Sequence, residues 1–349
     1  MSTAIGDTYF QEALVERREL LLRAARHEPR AEIARLLSEV DDALARLDHG
    51  TYGTCVRCHG QIEPNRLVRD PLAEYCREHP GPSEAARVQQ DLALAREIQR
   101  RLLPRPDLRI DGWRYGFRYE PAGDVGGDFV DVIARPAQGE TLVLVGDVSG
   151  KGIAASMLMS HLVATFRSLA PLALPAGELL ARVNDLFHDS AATSIYATLA
   201  AAALRPDGTA DLYSAGHWTP LLRGGAGTAP TPVSRGLPLG LFPGSRYDAA
   251  PVALSAGDTL LFFTDGAIDA ENEAGEDYGV DRLTRALAGT DRAGDTEASI
   301  DRLLQDVKTF QHGQPPVDDL LLVGVSRAAP ARDRAHLPAG ASAAELRVS

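Results

Sequence analysis

Apolar residues recur at three-to-four spacing from Phe10 to Ala25 and again from Ala31 to Leu47, where Ile33, Leu37, Val40, Leu44 and Leu47 form one stripe. Pro29 separates the runs, and proline both removes a helix-interior donor and clashes with the preceding turn. The pattern predicts a helical hairpin bending over His27, Glu28, Pro29 and Arg30, with a single kinked helix as the alternative. Residues 50–80 are rich in Gly, Pro, Cys and His and carry neither period. Gly81-Pro82-Ser83 then breaks the chain, with Ser83 as an N-cap and Glu84 in the first turn of a new helix. Val88, Leu92, Ala95, Ile98 and Leu102 line one face of that helix, which ends at Pro104. A stripe of this kind usually docks on a core; a dimer seam or a signalling linker are the alternatives.

Beyond Pro104 the pattern changes to short strands at Phe129 to Ile133, Thr141 to Val145, Tyr196 to Leu204, Ala210 to Ser214, Thr259 to Phe263 and Leu320 to Val325. Pro206-Asp207-Gly208 reads as a hairpin turn between two of them. Helices are expected at Ile153 to Leu169, Ala176 to Phe187 and Asp281 to Ala288. Strand-rich blocks with a few inserted helices point to an α+β layered domain. The Ala-, Pro- and Arg-rich stretch from Ala328 to Ser349 reads as a disordered tail.

At 349 residues the chain has room for two domains, one of them with a full core. Its formal charge of -12 argues against nucleic-acid binding over the whole surface. No apolar run approaches the ~20 residues that span a bilayer, and the N-terminus lacks the order of a signal peptide, so a cytoplasmic protein without a membrane partner is expected.

The only three cysteines, Cys55, Cys58 and Cys76, lie in one short stretch. Cys55-x2-Cys58, seventeen residues, then Cys76-x2-His79 supplies two close ligand pairs on two turns. Thiolates and imidazole suit a tetrahedral Zn2+, and four ligands leave no open position for catalysis. The expected cofactor is one structural Zn2+; a redox CxxC or buried thiols are the alternatives. LDHGTYGTCVRC (Leu47 to Cys58) and EYCREH (Glu74 to His79), with a helical hairpin in front, resemble the DksA/TraR family of zinc-finger proteins over roughly residues 10–80. His79 stands where that family usually has a fourth Cys, and the bend lacks the aspartates with which the family acts on RNA polymerase.

Three apolar strands meet aspartates at their ends. TLVLVGD closes on Asp147, TLLFFTD closes on Asp265, and Asp318-Asp319 opens LLLVGV. VGGDFVD adds Asp128 after two glycines, and Asp131. Singly, each reads as a turn or cap residue; together they read as a shared site. Two carboxylates ~5 Å apart repel by about 3 kcal/mol at an effective dielectric of 20, so such a cluster needs cations, and oxygen ligands select Mg2+ or Mn2+. GDVSGKG (Gly146 to Gly152) is not a phosphate loop, because three residues, not four, precede its Gly-Lys pair and Gly152 follows it.

AREIQRRLLP (Ala95 to Pro104), PAGDVGGDFVD (Pro121 to Asp131), GDVSGKGIAASMLM (Gly146 to Met159), SAGHWTPLL (Ser214 to Leu222), GLPLGL (Gly236 to Leu241), FTDGAIDAEN (Phe263 to Asn272) and the Asp318-Asp319 pair resemble, in order, the metal-dependent PPM protein phosphatases of the RsbU/SpoIIE branch. The resemblance spans about residues 92–326. It implies an αββα sandwich with two Mn2+ or Mg2+ ions at the sheet edge. Asp128, Asp147, Asp265 and Asp318 take the metal-ligand positions and serve catalysis through the metals and water. The main-chain carbonyl of Val148 adds a ligand, and Asp131 and Asp319 fall in the outer shell. Leu321 stands where the family often has Thr. His217 and Lys151 invite acid-base roles, but their motifs serve mainly as turns in this branch.

The expected organisation is therefore a helical hairpin (1–48), a zinc finger (49–80), a regulatory linker helix (81–104), the phosphatase domain (105–327) and a tail (328–349). The resemblance implies a protein serine/threonine phosphatase acting on a phosphorylated protein, usually a STAS-fold anti-sigma-factor antagonist whose dephosphorylation frees a sigma factor. The finger would sense or dock, signalling through the linker helix, which also offers a homodimer seam. The alternatives are a regulator that binds RNA polymerase through its finger and a pseudophosphatase scaffold. No direct nucleic-acid contact is expected.

Overall fold

The computed structural model describes residues 4–27, 31–105, 108–190, 195–291 and 295–328. Residues 28–30 of the expected bend and 329–349 of the expected tail lie outside the described residues. The chain forms two compact units, Met1–Asp91 and Leu92–Ser349.

In the smaller unit, helices α1 (Ala4–His27) and α2 (Ala31–Asp48) pack on each other. Leu14, Val40 and Ala43 are fully buried in the seam, with Leu21, Leu44 and Leu47 around them. Two packed helices, and not one kinked helix, carry the N-terminal stripe. The finger follows as turns around a short helix α3 (Pro64–Arg69), with Ile62, Leu67 and Ala73 buried beside Cys55 and Cys76. Such a core is too small to hold a fold alone.

Helix α4 (Pro82–Leu102) begins one residue before Ser83, with proline in the first turn, where its missing N–H costs nothing. Its stripe docks only in part: Leu102 packs against the core, and Leu92 and Ala95 are half-buried. Val88 and Ile98 are 47% and 53% exposed, whereas Gln99, a polar residue, is buried.

The larger unit contains strands β1 (Arg109–Ile110), β2 (Trp113–Glu120), β3 (Phe129–Arg135), β4 (Glu140–Val148), β5 (Ala197–Leu204), β6 (Thr209–Ala215), β7 (Leu221–Gly224), β8 (Gly227–Pro230), β9 (Arg235–Gly236), β10 (Ala250–Ala253), β11 (Thr259–Phe263) and β12 (Leu320–Arg327). One sheet has the order β1-β2-β12-β11-β7-β8; the other has β10-β6-β5-β4-β3, with β9 parallel to β6. The side-chain period of two explains why the central strands read as unbroken apolar runs. In β4, Leu142 and Leu144 face helices α5 (Gly152–Leu169) and α6 (Ala176–Ser190), while Val143 and Val145 face the opposite sheet. In β12, Leu321, Val323 and Val325 enter the same inter-sheet core, while Leu320 and Leu322 pack under α7 (Asp265–Ile268), α8 (Gly279–Ala288) and α9 (Thr296–Gln311). The layers are therefore helix, sheet, sheet, helix. Burying each such aliphatic side chain contributes roughly 1.5–3 kcal/mol, so a charge at Val145 would separate the layers.

Candidate metal centres

Strand register brings the aspartates together two by two. β3 and β4 are antiparallel with Phe129 opposite Gly146, so Asp128, just before β3, and Asp147, near the end of β4, share one edge of their sheet. In the other sheet Phe263 lies opposite Leu322, so Asp265, just after β11, and Asp318, just before β12, share an edge. A hydrogen bond joins the two pairs: Thr264 Oγ1 donates to Asp128 Oδ2 at 2.6 Å. The same hydroxyl accepts the Leu321 amide at 3.0 Å. Thr264 is fully buried, and so is Leu321, whose side chain belongs to the inter-sheet core.

Glycines let the backbone crowd this edge. A Cβ on Gly127 would lie 2.7 Å from the Val148 carbonyl oxygen and 3.2 Å from Asp147 Oδ1, and one on Gly126 would collide with the Asp319 carboxylate. Asp319 accepts the amides of Ala122 at 2.8 Å and Gly127 at 2.7 Å, which fixes the loop leading into Asp128. From α4, Gln99 donates to the Gly126 carbonyl at 2.9 Å and accepts the Gly126 amide at 3.2 Å. Asp131 is engaged by Arg167 of α5, at 2.7 and 3.0 Å, and the same guanidinium donates to the Leu102 carbonyl. Lys151 Nζ sits 2.8 Å from Asp318 Oδ2 and donates to the Val317 carbonyl at 2.8 Å.

The electrostatics follow from this crowding. Burial pushes Asp128 well above the usual carboxylate range, and Asp147 adds to it. Burial, then Asp265 and Asp318, push Asp147 up to about 7. Asp265 is raised by burial and by Asp318. Crowded carboxylates of this kind offer only oxygen donors, whose chemistry fits hard cations such as Mg2+ or Mn2+. Clefts flank the cluster, one of about 440 Å3 bordered by Lys151, Val317 and Asp318, and one of about 140 Å3 bordered by Asp147, Tyr196, Trp218 and Asp265.

A model of the family described as "Stage II sporulation protein E (SpoIIE)" matches residues 137–328, more than half of the chain. The chain belongs to the SpoIIE family. A second family model, "Prokaryotic dksA/traR C4-type zinc finger", matches residues 50–78. Protein IcfG of Synechocystis sp. is 26% identical over 267 residues, 68% of this chain and 41% of that protein. Among solved structures, the RsbU and RsbW domains of a Mycobacterium tuberculosis protein are 26% identical, with TM-score 0.53 over 65% of this chain and 63% of theirs. The SiaA-PP2C domain of Pseudomonas aeruginosa is 18% identical and shares the fold, with TM-score 0.60 over 69% of this chain and 98% of that domain. This SpoIIE-family chain thus spans about two fifths of the length of Protein IcfG.

In the finger, one thiolate or imidazole atom from each of Cys55, Cys58, Cys76 and His79 lies within 4.8 Å of all the others. Cys58 Sγ is 3.8 Å from Cys76 Sγ, which is 3.2 Å from His79 Nδ1. Burial works to raise the Cys55 thiol, but amides of Cys76, Cys58 and Arg57 outweigh it and bring the thiol down to about 6, toward the thiolate that a metal requires. Among the described residues this is the set of three or more His, Cys, Asp or Glu whose donor atoms all converge so tightly, and the aspartates do not form another. His79 lies just past the matched finger, at the fourth position.

Thr264 and Gln99 were outside the sequence expectations. Thr264 precedes Asp265 in FTD, and Gln99 is a polar residue among the apolar positions of α4. Each offered that signal, but no partner could be assigned without the fold.

Proposed function

We propose that this SpoIIE-family chain is a metal-dependent protein serine/threonine phosphatase. Asp128, Asp147, Asp265 and Asp318, with the Val148 carbonyl, would hold two Mn2+ or Mg2+ ions. What supports this reading is that register puts Asp128 and Asp147 on one sheet edge and Asp265 and Asp318 on another, with the Thr264 hydroxyl linking Asp128 to the second sheet and burial and its neighbours raising Asp147 to about 7. Bound divalent cations supply Lewis-acid activation of water and neutralise charge on a phosphoryl group. The chain's own residues prepare the site. Thr264 orients Asp128, Asp319 anchors the Ala122 and Gly127 amides in the outer shell, and Lys151 offsets the charge of Asp318. Asp131, the other outer-shell candidate, ties β3 to α5 through Arg167.

The substrate assigned by the resemblance is a phosphorylated anti-sigma-factor antagonist of the STAS fold, in the cytoplasm. The finger, holding one structural Zn2+, is given the sensing or docking role. Helix α4 is given the coupling role, which its Gln99 grip on Gly126 supports, and a self-association role, which its exposed Val88, Leu94 and Ile98 support. Dephosphorylation of STAS phosphoproteins from the same genome by the full chain, with and without Mn2+, tests the reading. Turnover that depends on Mn2+ is expected. A folded, Mn2+-loaded protein with no turnover would instead favour a scaffold, and capture of RNA polymerase by the finger would favour a transcription regulator.

A further inference from the structure

His217 stands in the turn after β6, where Gly216 adopts a left-handed φ of 70° and packs against Pro238. Its ring makes two hydrogen bonds. Nε2 lies 3.1 Å from the Phe263 carbonyl oxygen, and Nδ1 lies 2.7 Å from Thr198 Oγ1. A carbonyl oxygen can only accept, so Nε2 carries the proton. Nδ1 is then bare and accepts from the Thr198 hydroxyl.

The two partners belong to different sheets. Thr198 is the register partner of Asp147 in the β4–β5 ladder, and Phe263 ends β11 two residues before Asp265. The imidazole therefore spans the sandwich at the level of the carboxylates, beside the smaller cleft. We propose that His217 is a positioning residue, a strut between the two sheets that sets the separation of Asp147 and Asp265 and so the affinity of the site for divalent cations. The proposal rests on the reading of those two aspartates as cation ligands.

Two features make the strut stiff. Burial pushes the imidazole down to about 4, so the ring keeps one neutral tautomer near neutral pH. The neighbouring Trp218 stacks on Phe263 with centroids 6.4 Å apart. No proton transfer by His217 is invoked, since both nitrogens are committed to Thr198 and Phe263.

The test is Mn2+ titration of the zinc-loaded full chain by calorimetry, with the kcat and KM of p-nitrophenyl phosphate hydrolysis measured on the same samples. Groups that orient metal ligands typically govern 10- to 100-fold in affinity. His217→Ala and Thr198→Val should each weaken Mn2+ binding by about tenfold or more, with the lost rate partly recovered at high Mn2+. Thr198→Ser should restore affinity, because it keeps the hydroxyl. The double variant should be no worse than the worse single one, as expected for one shared bridge. Wild-type Mn2+ affinity in folded His217→Ala or Thr198→Val would overturn the proposal, as would Thr198→Ser behaving like Thr198→Val. The Thr198 pair carries the test where His217→Ala does not fold. A wild-type chain that binds no Mn2+ would instead remove the phosphatase reading itself.

Discussion

The finger and the aspartate edge are both candidate metal sites, built in opposite ways. The finger draws Cys55, Cys58, Cys76 and His79 from one run of chain, on turns around a core too small to stand alone. The aspartates come from positions 128 to 318 and are delivered by strands already buried on both faces. In the finger the metal would organise the fold, whereas in the sandwich the fold would organise the metal site. Removing the ion should therefore have opposite structural consequences in the two places.

Zinc removal carries the largest expected effect. Zinc-finger peptides gain on the order of 10–16 kcal/mol from the ion, which exceeds what a minimal core supplies. Chelation, or Cys76→Ser, should unfold residues 50–80, read as lost amide-exchange protection there, while β4, β5 and β12 stay protected. A finger that remains protected without zinc would erase the contrast.

Asp147→Asn probes the other side. It should lower Mn2+-dependent turnover by at least about 10²-fold, the scale on which one preorganised electrostatic group acts, and leave the sandwich folded by circular dichroism. Activity at the wild-type level would remove Asp147 from the site.

A smaller effect is expected at Thr264→Val, which deletes the hydroxyl bridging Asp128 and the Leu321 amide. A buried hydrogen bond lost in this way costs about 1–3 kcal/mol, so a comparable loss should appear in both Mn2+ affinity and melting temperature. An unchanged melting temperature would mean that another group takes over the bridge.

The pH response sharpens the comparison last. Asp147 is raised from its ordinary value of 3.8 to about 7, first by burial and then by Asp265 and Asp318. A carboxyl raised in the fold contributes stability that is fully present below its unfolded pKa and lost as pH rises through the folded one. Without Mn2+, the larger unit should thus melt higher near pH 5 than near pH 8, by a few degrees in calorimetry. Asp147→Asn should flatten that slope, and saturating Mn2+ should reverse it, since the ions require ionised carboxylates. A metal-free slope untouched by the substitution would assign the effect elsewhere.

The contrast also explains what could be read in advance. The strands at Thr259 to Phe263 and Tyr196 to Leu204 were legible because central sandwich strands are apolar on both faces. β2 was not, since its arginines and glycine interrupt the pattern, and it becomes a strand by pairing along its whole length with β12. Helix α9 was also missed, although Ile300, Leu303, Leu304, Val307 and Phe310 recur at helical spacing and pack in one core. The stripe on α4 was legible only in part: Leu102 packs against the core, but the most buried contact is the polar Gln99, held by backbone groups of Gly126.

The amino-acid sequence by itself determined the local features. The cysteine and histidine spacing, the apolar strands and the aspartates at their ends are set by residues close together in the chain, within reach of pattern and propensity. Which aspartates face each other, which hydroxyl holds Asp128, and which ring spans the sheets were decided only by the tertiary structure. Those pairings depend on strand register and on the stacking of two sheets, and they join residues from about 46 to 136 positions apart through contacts that no local pattern encodes.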